Sequence, residues 1–304
     1  PMFSRRHPIL FFLLILAACA TVLCAGAMLV VFSISRMMVT TAVSFDEQKG
    51  NIGVVEVTGP IFSSRQVIEN IKKFREDDAI KAIVIRVDSP GGGVGPSQEI
   101  FTELMRTRTA KTVVASMGSV AASGGYYVAA GAQSIVASPG TITGSIGVIM
   151  EYVNLTELVG KIGISPVVIK SGEFKDLGSV FRELKDDERQ LLQQLVDELH
   201  QQFVSDAARA RNMTTEEMAA LADGRVYTGQ TALDLNLIDR MGNLEDAVAL
   251  AAELAELDED PVKVYPKDSP ISVLRKLTQT LLKDIDISGA ITDNLRFIID
   301  QGNH

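Results

Sequence analysis

The sequence predicts an α/β domain in which most strands are parallel. Segments such as Ala79 to Val87 and Thr112 to Ser116 are almost continuously apolar, which is typical of strands that are buried on both faces. Segments with helical spacing of apolar residues separate these strands along the chain. The chain has 304 residues, of which 46% are hydrophobic, so it contains ample material for a buried core.

The predicted elements alternate along the chain. We expect strands or extended segments at residues 52–57, 79–87, 112–116, 134–137, 144–150, 166–170 and 261–265. We expect helices at residues 63–76, 97–107, 121–132, 155–162, 186–211, 214–222 and 243–257. The helix from Asp186 to Arg211 is amphipathic, and Thr214 and Glu217 form a capping box before the next helix.

The N-terminal region contains a candidate membrane span. Ile9 to Phe32 is a run of 24 residues without a charge, which is long enough to cross a bilayer. Arg5 and Arg6 precede this run and Arg36 follows it, so the charge bias, which is slight, places the N-terminus in the cytoplasm and the remainder outside. A cleaved signal peptide usually has a shorter apolar core. A lipoprotein box that ends at Cys19 is a second alternative, although 13 apolar positions follow it.

Composition excludes several classes of function. The net charge is −9, and after residue 45 the chain has 26 bases against 38 acids, which argues against nucleic acid as a partner. Both cysteines, Cys19 and Cys24, lie in the apolar run, so the rest of the chain has no thiolate nucleophile. The three histidines, His7, His200 and His304, are too scattered to predict a Ser-His-Asp triad or a histidine metal site. We expect no cofactor and no metal.

Ser123 is the candidate nucleophile. It follows a predicted strand and Gly118, it precedes Gly124 and Gly125, and it lies near the start of the predicted helix 121–132. The first N–H groups of a helix have no intrahelical partner, so they can stabilise an oxyanion beside an attacking hydroxyl. The alternative is a serine that caps the helix and glycines that permit close packing.

Two further loops are ambiguous when each is considered alone. Gly91 to Gly93 follow a strand and precede a helix, but they lack the spacing of a phosphate-binding or dinucleotide-binding motif. These glycines suit either an oxyanion hole or a simple turn with a bulge. The loop from Ser171 to Ser179 contains Lys175, and most lysines in such loops are merely solvated.

Five segments together resemble the signal peptide peptidase A family of membrane-anchored serine proteases. The segments are Asp88 to Gly92, Gly118 to Tyr127, Gly144 to Val148, Ser171 to Ser179, and Asp223 to Gln230, which is followed by Leu237 to Asp239. They occur in the family's order, and the resemblance covers roughly residues 50 to 265. The family shares its core with Clp protease and crotonase. The resemblance therefore implies a spiral of ββα units, preceded here by one transmembrane helix.

The resemblance also implies the site residues. Ser123 would be the nucleophile, Lys175 the general base, Ser145 a hydroxyl that supports the lysine, and Gly92 and Gly124 the backbone oxyanion donors. A lysine with the ordinary pKa of about 10.4 is protonated at neutral pH. The role therefore requires burial beside apolar groups, and the neighbouring Asp176 should point away from the amine. Phe174, Tyr126 and Tyr127 are interpreted either as lining the site or as core.

The family's short forms share each site between neighbouring protomers and assemble as rings of eight. This chain has one serine motif and one lysine motif, so the resemblance implies such a homo-oligomer on the bacterial cytoplasmic membrane, with the protease domain outside. Its substrates would be remnant signal peptides and other unfolded segments. The alternatives are a membrane peptidase that partners stomatin-like proteins, a crotonase-type acyl-CoA enzyme, and a non-catalytic scaffold.

The domain boundaries follow from these assignments. We expect the N-terminus and transmembrane helix at residues 1–35, a linker at 36–49, the protease domain at 50–266 and an amphipathic segment at 267–304. Apolar residues recur at helical spacing from Ser269 onward. That segment would pack on its own domain or on the bilayer, dock on a neighbouring protomer, or occupy the substrate groove.

Overall fold

The computed structural model describes residues 50–266, together with the isolated positions 9, 16, 21, 25, 26, 28 and 29. The predicted transmembrane helix as a whole, the linker 36–49 and the C-terminal segment 267–304 lie outside the described residues and stay predictions. Within the part of the chain that is described, no helix combines the length and the apolar character that a membrane span requires.

Residues 50–266 form an α/β unit. The strands are β1 (Ile52–Thr58), β2 (Ala82–Ser89), β3 (Thr112–Ala122), β4 (Ser134–Ala137), β5 (Ile142–Gly144), β6 (Val226–Thr228), β7 (Arg240–Met241) and β8 (Lys263–Val264). The helices are α1 (Arg65–Glu76), α2 (Val94–Thr107), α3 (Gly124–Ala130), α4 (Thr156–Lys161), α5 (Asp186–Arg211), α6 (Thr215–Leu221), α7 (Gly229–Asp234) and α8 (Leu244–Leu254).

The strands form one sheet with the order β6-β5-β3-β2-β1-β8, and β4 joins both β3 and β7. Every pair is parallel except β5 with β6. The long strand β3 pairs with β4 through Val114 to Ser116 and with β5 through Val120 to Ala122. The predicted α/β class with mostly parallel strands is confirmed.

Both faces of the sheet are covered near the start of its strands. Residues such as Val55 and Ile85 point into the larger core, which includes side chains of α1, α2 and α3. Their neighbours in sequence, Val54 and Val84, point to the opposite face, where α8 contributes Val248. This period of two on fully buried strands explains why the sequence is apolar throughout rather than alternating.

The structure corrects the sequence prediction around the candidate nucleophile. We predicted a strand that ends at Ser116, a tight turn at Gly118 and a helix from residue 121, whereas β3 continues to Ala122 and α3 begins at Gly124. Gly118 lies inside β3. A Cβ at Gly118 would lie 2.6 Å from Cγ of Asp88, and Oδ1 of Asp88 accepts a hydrogen bond from the N–H of Val120. This glycine provides space for a carboxylate.

A second correction concerns the segment that follows β5. The predicted extended segment 144–150 overlaps β5 only at Gly144, and the predicted strand 166–170 is absent from the described fold. Val167 and Ile169 are 85% and 97% exposed. Strand propensity reflects packing against neighbouring strands, and no strand of residues 50–266 pairs with this segment.

Candidate active site

Ser123 lies at the junction between β3 and α3 in a strained backbone conformation. Its φ and ψ angles are 53° and −122°, values that cost a non-glycine residue about 1–3 kcal/mol and persist only where the surroundings enforce them. Here the N–H of Ser123 donates to the carbonyl of Gly144 at 2.8 Å, and its carbonyl accepts from the N–H of Tyr127 at 2.9 Å. The hydroxyl is half-buried and makes no hydrogen bond to any described residue.

The Gly91–Gly93 loop lies directly against the first turn of α3. A Cβ at Gly124 would lie 3.3 Å from the nitrogen of Gly92, and a Cβ at Gly91 would lie 2.7 Å from the nitrogen of Gly124. Ile61 fixes the other side of the loop, because its N–H donates to Gly91 and its carbonyl accepts from Gly93, both at 2.9 Å. Within residues 50–266 the N–H groups of Gly92 and Gly124 have no acceptor.

Gly144, the residue before Ser145, connects Ser145 to Ser123. The carbonyl of Gly144 accepts the hydrogen bond from the N–H of Ser123. Gly144 has a φ of 76°. It packs against Tyr227, because a Cβ at Gly144 would lie 2.5 Å from Cδ2 of Tyr227. Ser145 has a φ of 49°, and its N–H donates to the carbonyl of Arg225 at 2.8 Å. The segment Asp223 to Gln230, which includes β6, therefore holds the turn that carries Ser145.

Lys175 lies apart from these contacts. It is exposed in a loop of consecutive turns, in which its N–H donates to Gly172 at 3.2 Å and the N–H of Leu177 donates to Phe174 at 3.0 Å. Its amine makes no hydrogen bond or ion pair with a described residue. The structure thus brings together Ser123, Gly124, Gly92 and Ser145, but no hydrogen bond joins Lys175 to any of them within the protomer.

A network of charged side chains holds the loop that carries Lys175. The carboxylate of Asp176 binds the amine of Lys170 at 2.6 Å and Nε of Arg182 at 2.8 Å. Arg182 also binds Glu188, the third residue of α5, whose side chain is only 1% exposed. The hydrogen bonds from Arg182 and then from Lys170 hold the pKa of Asp176 well below its usual range, and Arg182 likewise lowers the pKa of Glu188. Asp176 is therefore engaged with cations other than Lys175.

The two tyrosines that follow Ser123 are core residues. The hydroxyl of Tyr126 donates to the carbonyl of Leu237 at 3.1 Å, and burial raises its pKa above the ordinary value. Tyr127 stacks on Phe203 with ring centroids 4.3 Å apart, and its hydroxyl donates to Asp206. Phe174, the third aromatic residue for which the sequence left both a site role and a core role open, is exposed and precedes Lys175 in the chain.

Comparison with known proteins identifies the family. The model of peptidase family S49 matches residues 105–258, and the Clp protease model matches residues 54–141. The chain belongs to peptidase family S49. It is therefore a serine peptidase with a Clp-protease-like domain, which confirms the predicted resemblance and the predicted enzyme class.

Several relatives of this S49 peptidase carry related names. A protein of Synechocystis sp., provisionally named as a protease, is 47% identical over 228 residues, which are 75% of this chain and 82% of the relative. A protein of Enterococcus faecium, provisionally named signal peptide peptidase SppA, is 36% identical over 71% of this chain and 65% of the relative. Protease 4 of Salmonella typhi is 37% identical over 73% of this chain but only 37% of its own length.

Sequence reasoning missed several residues that build the candidate site. Ser89 and Ser97 contact the Gly91–Gly93 loop. Arg182 and Glu188 hold the loop from Ser171 to Ser179 that carries Lys175, which we call the lysine loop. Ser89 belongs to the motif Asp88 to Gly92, so its position signalled a role. Arg182 and Glu188 are six residues apart and pair only because the loop folds back on the first turn of α5, which no local pattern indicates.

Proposed function

We propose that this S49 peptidase hydrolyses peptide bonds with Ser123 as nucleophile and Lys175 as general base. The observation that carries the proposal is the placement of Ser123 in a strained turn beside the N–H groups of Gly92 and Gly124. Among residues 50–266, neither its hydroxyl nor these two N–H groups have a hydrogen-bond partner. Two backbone donors next to a nucleophile are the groups from which the oxyanion holes of acyl-transfer enzymes are built.

The chemistry proceeds in two steps. The hydroxyl oxygen of Ser123 attacks the substrate carbonyl as its proton passes to the neutral amine of Lys175, and the N–H groups of Gly92 and Gly124 bind the resulting oxyanion. Collapse of this intermediate releases the amine half of the substrate, which takes the proton from Lys175. Water then attacks the acyl-enzyme and gives a proton to Lys175. The bond between the acyl carbon and Oγ of Ser123 breaks, Lys175 returns the proton to Oγ, and the acid product leaves and ionises. Ser145 supports the lysine amine by a hydrogen bond.

Lys175 reaches Ser123 of a neighbouring copy in this proposal. Support comes from the exposed surface around the lysine loop: twelve large hydrophobic side chains between residues 149 and 181 are exposed, out of twenty between residues 50 and 266. Exposed apolar surface on a folded domain is typical of contacts with another protein or with a membrane, and the proposal takes it as the contact with a second copy. A second copy that covers it would also exclude water from the amine of Lys175, which favours the neutral form that a general base requires. The ring of eight is carried over from the family resemblance.

The proposed substrates are signal peptides that remain after cleavage and other unfolded or membrane-associated segments. The name of the Enterococcus faecium relative supports this substrate class. The apolar run from Ile9 to Phe32 supports a single membrane span with the peptidase domain on the extracytoplasmic side of the bacterial cytoplasmic membrane.

Hydrolysis of casein and of a panel of signal peptides by purified variants tests the proposal. We expect Ser123→Ala and Lys175→Ala each to lower kcat/KM at least about 10³-fold, since each removes a group that takes part in the chemical step. Matched controls are Ser119→Ala, an exposed serine on β3, the strand that precedes Ser123, and Lys161→Ala, an exposed lysine on α4. Activity in Ser123→Ala would overturn the nucleophile, and activity in Lys175→Ala would overturn the base.

A further inference from the structure

Two fully buried serines hold the Gly91–Gly93 loop, and neither is part of the proposed dyad. We propose that Ser89 and Ser97 are positioning residues that fix the N–H groups of Gly92 and Gly124 in the geometry for binding an oxyanion. This inference rests on the proposed function, because it assumes that Ser123 attacks a carbonyl beside these two donors.

Ser89 holds the start of the loop. It is the last residue of β2, it pairs with Ala121 of β3, and its side chain is fully buried. Its hydroxyl oxygen accepts a hydrogen bond of 3.1 Å from the N–H of Gly91. Its carbonyl lies against α3, because a Cβ at Gly125 would lie 2.6 Å from that oxygen. Ser89 therefore contacts both segments that supply the oxyanion donors.

Ser97 holds the end of the loop. It lies in the first turn of α2, it is fully buried, and its hydroxyl donates to the carbonyl of Gly93 at 2.9 Å. The same oxygen lies next to the nucleophile turn, because a Cβ at Gly124 would lie 2.5 Å from it. The Ser97 hydroxyl thus lies beside both the Gly91–Gly93 loop and Gly124.

A loop of three glycines needs such restraints. Glycine has more backbone freedom than any other residue, so the loop by itself would sample many orientations of the Gly92 N–H. An oxyanion donor is effective only within about 2.7–3.1 Å of the oxygen that carries the developing charge. Burying a hydroxyl is costly unless it is hydrogen-bonded. Both buried hydroxyls here bond to the backbone of the loop, on either side of Gly92.

The test separates donor placement from general stability. The variants are Ser89→Ala, Ser97→Ala and Ser97→Cys, the last of which fills the same space with a weak donor. The control is Thr141→Val, which removes another buried hydroxyl that donates to a backbone carbonyl, that of Gly118, at 2.8 Å. For each protein we would measure kcat, KM, the thermal midpoint and the affinity for a peptide boronic acid, which forms a tetrahedral adduct with a serine nucleophile.

We expect each substitution of Ser89 or Ser97 to lower kcat about tenfold and to change KM less than about twofold. Complete loss of one oxyanion donor lowers kcat about 10²–10³-fold, and a misplaced donor should cost less. Affinity for the boronic acid should fall by the same factor. Affinity for the parent peptide, measured in the Ser123→Ala background, should stay unchanged. Thr141→Val should lower the thermal midpoint without changing the ratio of boronic acid affinity to peptide affinity.

The outcomes distinguish the two proposals. Suppose that Ser123→Ala is inactive while Ser89→Ala and Ser97→Ala keep kcat within about twofold of wild type, a loss far smaller than that caused by removing an oxyanion donor. The positioning role is then overturned, and Ser123 remains the nucleophile. Equal losses of boronic acid and peptide affinity would also overturn the positioning role. If Ser123→Ala keeps its activity, the proposed function itself fails.

Discussion

Arg182 binds Glu188 through two hydrogen bonds, of 2.7 Å from Nη1 and 2.6 Å from Nη2. The same guanidinium donates through Nε to Asp176, the residue after Lys175. Glu188 in turn accepts from the N–H of Lys185 at the start of α5. One arginine therefore ties the loop of the proposed base to a helix terminus, and two carboxylates offset the charges of Arg182 and Lys170.

Removing this arginine should loosen the lysine loop. In Arg182→Gln, the amides of residues 172–179 should exchange with solvent faster than in wild type, because the loop loses its bonds to α5. The control is Arg209→Gln, which removes an exposed arginine paired with Asp206 on the same helix. Hydrogen exchange with mass spectrometry measures both. Unchanged exchange in residues 172–179 would show that Arg182 does not hold the loop.

The same network predicts sensitivity to acid. The pKa values of Asp176 and Glu188 are lowered in the folded state, chiefly by Arg182. Their contribution is therefore complete above the ordinary carboxyl pKa of about 4 and is lost as the pH falls through the lowered values. The difference in free energy of unfolding between wild type and Arg182→Gln, measured with urea, should shrink as the pH falls below about 4. A difference that is constant with pH would contradict the ionised network.

Activity should depend on pH in the alkaline direction. The proposed base must be neutral to accept a proton, so kcat/KM should rise with pH and then reach a plateau. Lys175→Arg should be inactive at every pH, since a guanidinium remains protonated. The measurement is peptide hydrolysis over the range of pH in which the protein stays folded. A profile controlled by a group that titrates near pH 4, as a carboxylate base does, would remove Lys175 from its role.

The fold was predictable where local pattern decides it. The bounds of β4 and α5 agree with the sequence prediction, because an apolar strand and a long amphipathic helix both have clear periodicity. The extension of β3 to Ala122 was not predictable, since Gly118 is typical of a turn in sequence and only the nearby Asp88 explains it. The short strand β6 was missed because its three residues form a strand only through their pairing with β5.

The candidate site was predictable only in part for a similar reason. Ser123, Gly124 and Gly92 lie at strand-to-helix junctions, which local sequence indicates, and the structure brings them together. Ser89 and Ser97 bond to the glycine loop over two and four residues, but their approach to Gly125 and Gly124 depends on how β2 and α2 pack beside α3, which local sequence does not indicate. The segment 166–170 has strand-like composition but no partner strand among residues 50–266, so its composition alone mispredicted its conformation.

Complementation tests whether one site uses two chains. Ser123→Ala and Lys175→Ala proteins should each be inactive alone. Mixtures that co-assemble should recover part of the wild-type activity, because some interfaces then pair an intact Ser123 with an intact Lys175. Co-purification through two different affinity tags establishes co-assembly, and a mixture of two Ser123→Ala proteins is the control. Inactivity of co-assembled mixtures at every ratio would place both residues of a site in one chain.

Covalent labelling with a fluorophosphonate tests the central claim most directly. The reagent reacts with an activated serine, and peptide mass spectrometry locates the modified residue. We expect a single label on Ser123 of the detergent-solubilised full chain, a much slower reaction in Lys175→Ala, and no reaction in Ser123→Ala. A label on any other serine, or a folded protein that degrades peptides without labelling of Ser123, would contradict the account.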